Sequence, residues 1–419
     1  MYGLLGKKLS HSFSKLIHEL ITEDPYDLIE VDDIRDILKS KRFKGLNVTI
    51  PYKKAVIPYL DELSTISEKM NVVNTIVNKG GKLIGYNTDY NGLIKTLNYH
   101  NIFVKNMDVL ILGNGSTSRT IQYYCSNFGA KNIYVYARNP KQGEYDLKNV
   151  DNLKSIDIIF NATPVGMFPN NNDTFDFGLK QWPNLNSVID VIYNPLASNL
   201  ILEAKKCNIK TVNGLMMLVS QAIKSAELFR NITFDDIIYE TTYKTLLKLQ
   251  TNIVFIGMPM SGKSLYTRIM GNKYHKDVID LDQEIERETN LSIPEIFETY
   301  GEEYFRSVET TIIEKVSKLN NKAISCGGGV ILNPKNIDML KQNGILILLD
   351  IDLDTLKKMN PKNRPLLQNS KNLEKLFHKR YNLYHDYADI VIHKNTMHTD
   401  SIIRQIEVNI NEYTGFKWS

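Results

Sequence analysis

Gly257-Met258-Pro259-Met260-Ser261-Gly262-Lys263-Ser264 satisfies the pattern G-x-x-x-x-G-K-[ST]. Glycines at this spacing let backbone amides wrap a phosphate chain, the lysine reaches the β- and γ-phosphates, and the last hydroxyl can hold Mg2+. A second glycine turn, Gly113-Asn114-Gly115-Ser116-Thr117-Ser118, fits only a degenerate G-x-G-x-x-[GA]. Arg138 ends the next apolar run, with Asn139 and Lys141 behind it. A dinucleotide site for NAD carries an acid there, whereas an arginine accommodates a 2′-phosphate, so NADP is favoured over NAD. Further upstream, Lys53 and Asp89 could converge on one hydroxyl as a proton-transfer pair for a carbonyl/alcohol couple. Taken singly, Lys53 reads as a surface lysine and Asp89 as a helix cap.

These residues need rigid carriers, and the pattern supplies them. Each glycine turn follows an apolar run (109–112 and 253–256) and precedes a segment of helical period. Strand, glycine turn and helix in that order point helix amides at a phosphate, so two nucleotide sites are expected. Strands are predicted over Asp108–Leu112, Asn132–Tyr136, Asp157–Phe160, Ser187–Val191, Asn252–Ile256, Ala323–Ser325 and Ile345–Leu349. Their alternation with longer helical segments implies an α/β fold with parallel sheets. Residues 232–252 read as a helix and a short connector, which places a boundary near 246–251.

Composition bounds the rest. A chain of 419 residues is enough for two to three domains at about 150 residues each. Its net charge, 51 − 47 = +4, is dispersed and too mild for a nucleic-acid site. The three cysteines, Cys125, Cys207 and Cys326, never form C-x-x-C, which argues against a disulfide framework or a zinc site and for a reducing cytosol. The N-terminus lacks a signal-peptide core, and no run approaches the roughly 20 apolar residues of a membrane span. No membrane or nucleic-acid partner is expected.

Downstream of the phosphate loop come Asp280-Leu281-Asp282, read as two carboxylates on one side of a strand end, and Gly301-Glu302-Glu303-Tyr304-Phe305-Arg306-Ser307-Val308-Glu309. Gly327-Gly328-Gly329 follows at a strand end, where a ligand can approach bare backbone. Asn363-Arg364-Pro365-Leu366-Leu367 lies in a polar stretch suited to a lid, and Arg380 follows on a helix. In this order, over 251–410, the segments resemble shikimate kinase. The resemblance implies that Ser264 and Asp280 serve Mg2+, and that Gly257, Ser261, Gly262, Lys263 and Ser264 hold ATP. Asp282 would bind the substrate hydroxyls and orient or deprotonate the attacking one. Arg306, Arg380 and the backbone of Gly327, Gly328 and Gly329 would bind shikimate, with the arginines on its carboxylate. Arg364 would close over ATP and, with Lys263, stabilise charge on the transferring phosphoryl group. The chain departs from the family at Asn382, where proline is usual, and at Lys357-Lys358, where relatives often carry arginine near the adenine.

The first half offers Ser12 and Ser14 at a strand-to-helix junction, and Thr49 and Pro51-Tyr52-Lys53 after an extended alternation. Asn71-Val72-Val73-Asn74-Thr75 and Gly85-Tyr86-Asn87-Thr88-Asp89 read as short strands ending in amides and an acid. With Asn161-Ala162-Thr163-Pro164, Asp190-Val191-Ile192-Tyr193-Asn194-Pro195 and Gly214-Leu215-Met216-Met217-Leu218-Val219-Ser220-Gln221, these resemble shikimate dehydrogenase over roughly 1–235. The resemblance implies that Ser12, Ser14, Thr49, Asn74, Asp89 and Gln221 bind the shikimate skeleton, with Lys53 and Asp89 the catalytic pair. Gly113, Gly115, Ser116, Arg138, Asn139, Thr163, Gly214 and Met217 would line NADP(H). The segment between Ile17 and Gly45 is compact, implying a trimmed catalytic lobe.

The expected architecture is a two-lobed α/β dehydrogenase followed by a P-loop kinase with a central parallel sheet. Its parts are a catalytic lobe at 1–92 with a returning helix at about 215–245, a Rossmann-type NADP lobe at 93–214, a kinase at 251–410 and a tail at 411–419. The two resemblances name consecutive reactions, reduction of 3-dehydroshikimate to shikimate and phosphorylation of shikimate to 3-phosphoshikimate. A false assignment of either half would have no reason to pair with its metabolic neighbour. Rival readings are a quinate/shikimate dehydrogenase of relaxed specificity, a metabolite sensor with an inactive dehydrogenase half, and another P-loop small-molecule kinase. The oligomeric state stays open.

Overall fold

Asp108–Leu112 and Asn252–Ile256 are buried at every residue, the pattern of a strand covered on both faces. In the computed structural model, which describes residues 1–9, 12–359, 370–394 and 398–418, both lie inside parallel sheets. The chain divides into two units. One comprises Met1–Met167, Asp173–Asn194 and Glu203–Leu246, and the other Phe168–Asn172, Pro195–Leu202 and Leu247–Ser419.

The first unit holds two sheets. Strands β1 (Tyr2–Gly6), β2 (Tyr26–Glu30), β3 (Gly45–Val48), β4 (Glu62–Leu63), β5 (Thr75–Lys79) and β6 (Lys82–Tyr86) form a mixed sheet ordered β2-β1-β3-β5-β6-β4. It is parallel from β2 to β3, and β5 runs antiparallel to both β3 and β6. Leu5, Leu46, Val73, Ile76 and Leu83 make its core, with helices α1 (Ser14–Ile21), α2 (Arg35–Ser40) and α3 (Thr65–Met70) threaded between the strands. Helix α4 (Thr88–Tyr99) leads to the second sheet, made of β7 (Asp108–Leu112), β8 (Asn132–Ala137), β9 (Tyr145–Asp146), β10 (Ile158–Asn161), β11 (Ser187–Asp190) and β12 (Lys210–Val212).

All pairings in this second sheet are parallel, ordered β12-β11-β10-β7-β8-β9. Numbered within the sheet, that is the dinucleotide-binding order 3-2-1-4-5-6, which opens a crevice beyond β7 and β10 where the order reverses. Helices α5 (Ser116–Asn127) and α6 (Asn199–Lys206) belong to its crossovers. The single returning helix expected at 215–245 is two, α7 (Leu215–Arg230) and α8 (Asp236–Gln250), parted at Asn231 with φ +56°.

The helix and short connector expected over 232–252 are found, with Thr251 alone between the helix that ends at Gln250 and the strand that starts at Asn252. Residues 235–252 contain no glycine or proline to stop a helix. The Thr251 amide still donates to the Leu247 carbonyl at 2.9 Å, one residue before the next strand.

The second unit has one parallel sheet of β13 (Asn252–Ile256), β14 (Asp277–Asp280), β15 (Lys322–Ser325), β16 (Gly344–Asp350) and β17 (Ile390–His393), ordered β14-β15-β13-β16-β17. The order reverses at β13, and the phosphate loop follows that strand. Helices α9 (Lys263–Tyr274), α10 (Leu281–Thr289), α11 (Ile293–Ser317), α12 (Pro334–Lys341), α13 (Leu353–Lys358), α14 (Ser370–Tyr387) and α15 (Thr399–Thr414) complete it. Gly301, at φ +80°, breaks α11 in its middle.

The residues set apart above as a tail are part of this fold, since α15 reaches Thr414 and Trp418 is fully buried beside Tyr274. Beneath Trp418, the buried Lys276 donates from Nζ to the carbonyls of Lys248 and Thr251, both at 2.8 Å, and to Asn321 Oδ1 at 2.9 Å. No helix among the described residues is long and apolar enough to cross a membrane.

Candidate active sites

At one end of the mixed sheet, Lys53 Nζ lies 2.6 Å from Asp89 Oδ2, with the two side chains only 15% and 10% exposed. Local sequence explains the meeting. The Val73 amide donates to the Lys53 carbonyl at 2.9 Å, which ties the lysine's turn to the start of β5. The cap of α4 is Asn87, whose Oδ1 accepts from the Tyr90 amide at 3.2 Å, so Asp89 is released from capping and lies in the first helical turn.

Asn74 holds the carboxylate in place. The Thr88 amide, which can only donate, meets Asn74 Oδ1 at 2.7 Å, so Asn74 Nδ2 faces Asp89 Oδ1 at 2.9 Å. Behind it, Thr75 Oγ1 donates to Asn74 Oδ1 at 3.2 Å and accepts from Asn47 Nδ2 at 3.1 Å. Asn47 Oδ1 in turn accepts from Tyr26 at 2.8 Å and from Ser225 at 3.2 Å. Asn47 had no assigned role in the sequence, where a polar residue in an apolar strand was the available signal. The reading of 71–75 as a strand is corrected: Asn71 ends α3 at φ +53°, and β5 starts only at Thr75.

The other substrate-side residues gather at the same end of the sheet. Ser12 Oγ accepts from the Ser14 amide at 3.2 Å where α1 begins, after β1. The Thr49 amide donates to Leu5 on β1 at 2.9 Å. Gln221 arrives on α7, whose crossing with α4 depends on Gly92. A β-carbon there would lie 2.8 Å from the Met217 carbonyl and 3.2 Å from Gln221 Cβ. Gly92 is three residues beyond Asp89, on the same helix face, so the crossing brings Gln221 and Met217 to that face.

At the crevice of the second sheet, Gly115 caps α5 without a side-chain hydrogen bond, and a β-carbon on it would meet nothing within 4 Å. A helix N-terminus that begins at Ser116 without a side-chain cap, beside open space at Gly115, suits a diphosphate. Thr163 lies against Gly113 and donates from Oγ1 to Asn161 Oδ1 at 2.7 Å. Asn161 Nδ2 donates to Asp190 Oδ1 at 3.0 Å, joining the ends of β10 and β11. Gly214 is required by close approach, since a β-carbon would sit 1.9 Å from the Val191 carbonyl oxygen. Arg138 is exposed just past β8, and the Asn139 carbonyl accepts from Asn114 Nδ2 at 2.9 Å. These features fit a 2′-phosphorylated dinucleotide.

In the second unit, Gly262 at φ +90° turns the loop into α9 without a side-chain cap, a conformation that favours glycine. Lys263 Nζ donates to the carbonyls of Gly257 and Met258, each at 3.0 Å. Ser261 Oγ is buried with no hydrogen-bond partner among the described residues. Ser264 Oγ donates to Asp280 Oδ2 at 2.7 Å. Hydroxyl and carboxylate oxygens fit Mg2+, which uses few protein ligands beside phosphates and water. Among the described residues no group of three or more His, Cys, Asp or Glu could hold a metal.

The two acids of Asp280-Leu281-Asp282 do not share an extended strand end. Asp280 closes β14 and caps α10 by accepting from the Asp282 amide at 3.1 Å, so Asp282 stands in the first helical turn. There its Oδ1 would lie 2.7 Å from a β-carbon on Gly327. The Arg306 guanidinium lies against Gly329, held by Glu309 at 2.9 Å and Glu302 at 3.1 Å. Arg380 donates to the Gly328 carbonyl at 2.9 Å, an oxygen that also accepts from Tyr384 at 2.5 Å.

Burial lowers the Arg380 pKa and the nearby Arg306 adds to the effect, while Arg380 Nε is buried without a partner among the described residues. Two crowded guanidinium groups with an unmatched donor invite an anion. Burial also raises the pKa of Glu309, which Arg306 opposes. Glu309 and Tyr384 were missed as site residues; the spacing of Glu309 from Arg306, three residues on a helix, was the signal for the first. Arg364 lies outside the described residues.

Residues 4–76 match the family model for the shikimate dehydrogenase substrate binding domain, and residues 259–411 match that for shikimate kinase. A shikimate dehydrogenase (NADP(+)) of Clostridium beijerinckii is 37% identical over 260 residues, covering 58% of this chain and 96% of the relative. The chain belongs to the shikimate dehydrogenase family. It carries a shikimate kinase domain after the dehydrogenase and has both enzyme activities, with NADP(H) and MgATP as their cofactors.

Solved structures agree over the same part. A chorismate mutase/shikimate 5-dehydrogenase fusion protein from Clostridium acetobutylicum matches with a TM-score of 0.55 and 36% identity, over 58% of this chain and 96% of its own. Shikimate 5-dehydrogenase of Thermus thermophilus, in complex with NADP(H) and shikimate, matches with a TM-score of 0.52 and 25% identity, over 58% of this chain and 98% of its own.

Proposed function

We propose that the first unit reduces 3-dehydroshikimate to shikimate and the kinase domain converts shikimate to 3-phosphoshikimate. The observation that carries the reduction is the buried Lys53–Asp89 contact at 2.6 Å, backed by the Asn74 amide. NADPH, when bound along Gly113, Gly115, Ser116, Arg138, Asn139, Thr163, Gly214 and Met217, supplies the hydride for the ring carbonyl. Lys53 Nζ gives its proton to the carbonyl oxygen, and Asp89 Oδ2 keeps that group aimed until transfer. Ser12, Ser14, Thr49, Asn74 and Gln221 hold the hydroxyls and carboxylate of the ring.

In the kinase, MgATP supplies the phosphoryl group when bound at Gly257, Ser261, Gly262, Lys263 and Ser264, with Ser264 and Asp280 on the metal. Arg306 and Arg380 take the substrate carboxylate, relieving the crowding of their charges. Asp282 orients the attacking hydroxyl and accepts its proton, while the Gly327, Gly328 and Gly329 backbone leaves room for the ring. Lys263 exchanges its loop carbonyls for phosphate oxygens, so its charge enters the reaction only with nucleotide present.

Initial rates with purified protein test both halves. With 3-dehydroshikimate, NADPH should be oxidised and NADH far more slowly, and ADP should form with shikimate but not with quinate. Equal rates of NADP+ reduction with quinate and shikimate in the dehydrogenase half would favour the relaxed-specificity reading. A dehydrogenase half that turns over no substrate would favour the sensor.

A further inference from the structure

The residue that follows β17 is a lysine that the site described above leaves unused. Its backbone is pinned, because the Lys394 amide donates to the Asp350 carbonyl at the end of β16 at 2.8 Å. Its side chain crosses to the phosphate loop and donates from Nζ to the Ser261 carbonyl at 2.9 Å. A β-carbon on Gly262 would lie 2.8 Å from that ammonium, so the glycine is what lets Lys394 come so close. The ammonium is also 5.2 Å from the centroid of the Tyr266 ring, which is 1% exposed. Burial lowers its pKa. The phosphate loop is therefore gripped by two lysines: Lys263 on the carbonyls of Gly257 and Met258, and Lys394 on the carbonyl of Ser261.

The peptide bond turns this grip into a direction. In a planar trans peptide the carbonyl of one residue and the N–H of the next point opposite ways. Holding the Ser261 carbonyl against Lys394 therefore aims the Gly262 N–H away from Lys394. Gly262 precedes α9, and its amide is among those a phosphate loop presents to its ligand. A freely rotating Ser261–Gly262 peptide would present carbonyl oxygen to a polyanion part of the time, which repels it.

We propose that Lys394 is a positioning residue of the nucleotide site, which fixes the Ser261–Gly262 peptide plane so that the Gly262 amide faces the phosphates of MgATP. This rests on the kinase reading above.

The test uses the full-length chain, with Lys394→Met and Lys394→Arg beside wild type. Lys394→Met should weaken MgADP binding by calorimetry about ten-fold, the size expected for a lost charged hydrogen bond. The KM for MgATP should rise by the same factor. The KM for shikimate and the NADPH-dependent rate should stay within two-fold of wild type, and Lys394→Arg should recover most of the MgADP affinity. An MgADP affinity within two-fold of wild type in Lys394→Met would overturn the proposal. So would an equal rise in both KM values, the mark of general loosening. MgADP binding is read without shikimate, so a wild-type protein that binds MgADP but does not phosphorylate shikimate contradicts the kinase reading alone.

Discussion

The two sites each centre on a lysine, and they hold it by different means. Lys53 already touches its carboxylate, and that carboxylate is fixed by a buried chain of neutral groups, Asn74, Thr75 and Asn47. Lys263 instead donates to carbonyls of its own loop, and the neighbouring arginines are steadied by acids and by bare glycine backbone. The hydride site is preorganised by hydrogen bonds made during folding. The phosphoryl site keeps strong charges in reserve and is completed by its ligands. The group that reacts in the first site is a neutral carbonyl, whereas in the second it is a highly charged phosphoryl group that draws cations to itself.

The largest effects should separate the two sites completely. Lys53→Ala should cut NADPH-dependent reduction about a thousand-fold, the scale of a lost acid–base group, and leave ATP-dependent phosphorylation near wild type. Lys263→Ala should do the reverse, with both rates read on the same preparations. Next in size, Asn74→Ala leaves the buried Thr88 amide and Asp89 without their amide partner. It should lower kcat/KM of reduction about a hundred-fold without touching the kinase.

In the kinase, Glu309→Ala leaves Arg306 with Glu302 as its remaining acid. The KM for shikimate should rise about ten-fold while that for MgATP stays put, in a two-substrate initial-rate analysis. Equal changes in the two constants would mean that Glu309 supports the fold and not the arginine.

The last prediction concerns stability and leaves both catalytic rates aside. Burial pushes the Lys276 pKa down to about 7 from its ordinary 10.5. Between those values the unfolded chain binds a proton that the native unit has released, so stability rises with pH across that window, by at most about 1.4 kcal/mol per unit. Denaturant titrations at pH 7 and pH 9 should show the rise in wild type and its loss in Lys276→Met.

Much of the framework could be read from the sequence. The seven strands predicted from apolar runs occur within a residue at either end, because buried parallel strands have a strong pattern. The glycine loops landed at the two points where strand order reverses. What escaped had weaker local signals. Asp280-Leu281-Asp282 looked like a strand end because a capping aspartate and a strand-end aspartate are the same letter. Asn47, Gly92 and Lys394 act through residues 21 to 178 positions away, and only the fold brings those partners together.

The most direct measurement is a single reaction started from 3-dehydroshikimate, with the wild-type chain, NADPH and MgATP, following NADPH loss and ADP release together. ADP should appear only when NADPH is present, after a lag, and approach one ADP per NADPH consumed. ADP formation without NADPH, or NADPH loss with no ADP following, would contradict the assignment of two consecutive reactions to this chain.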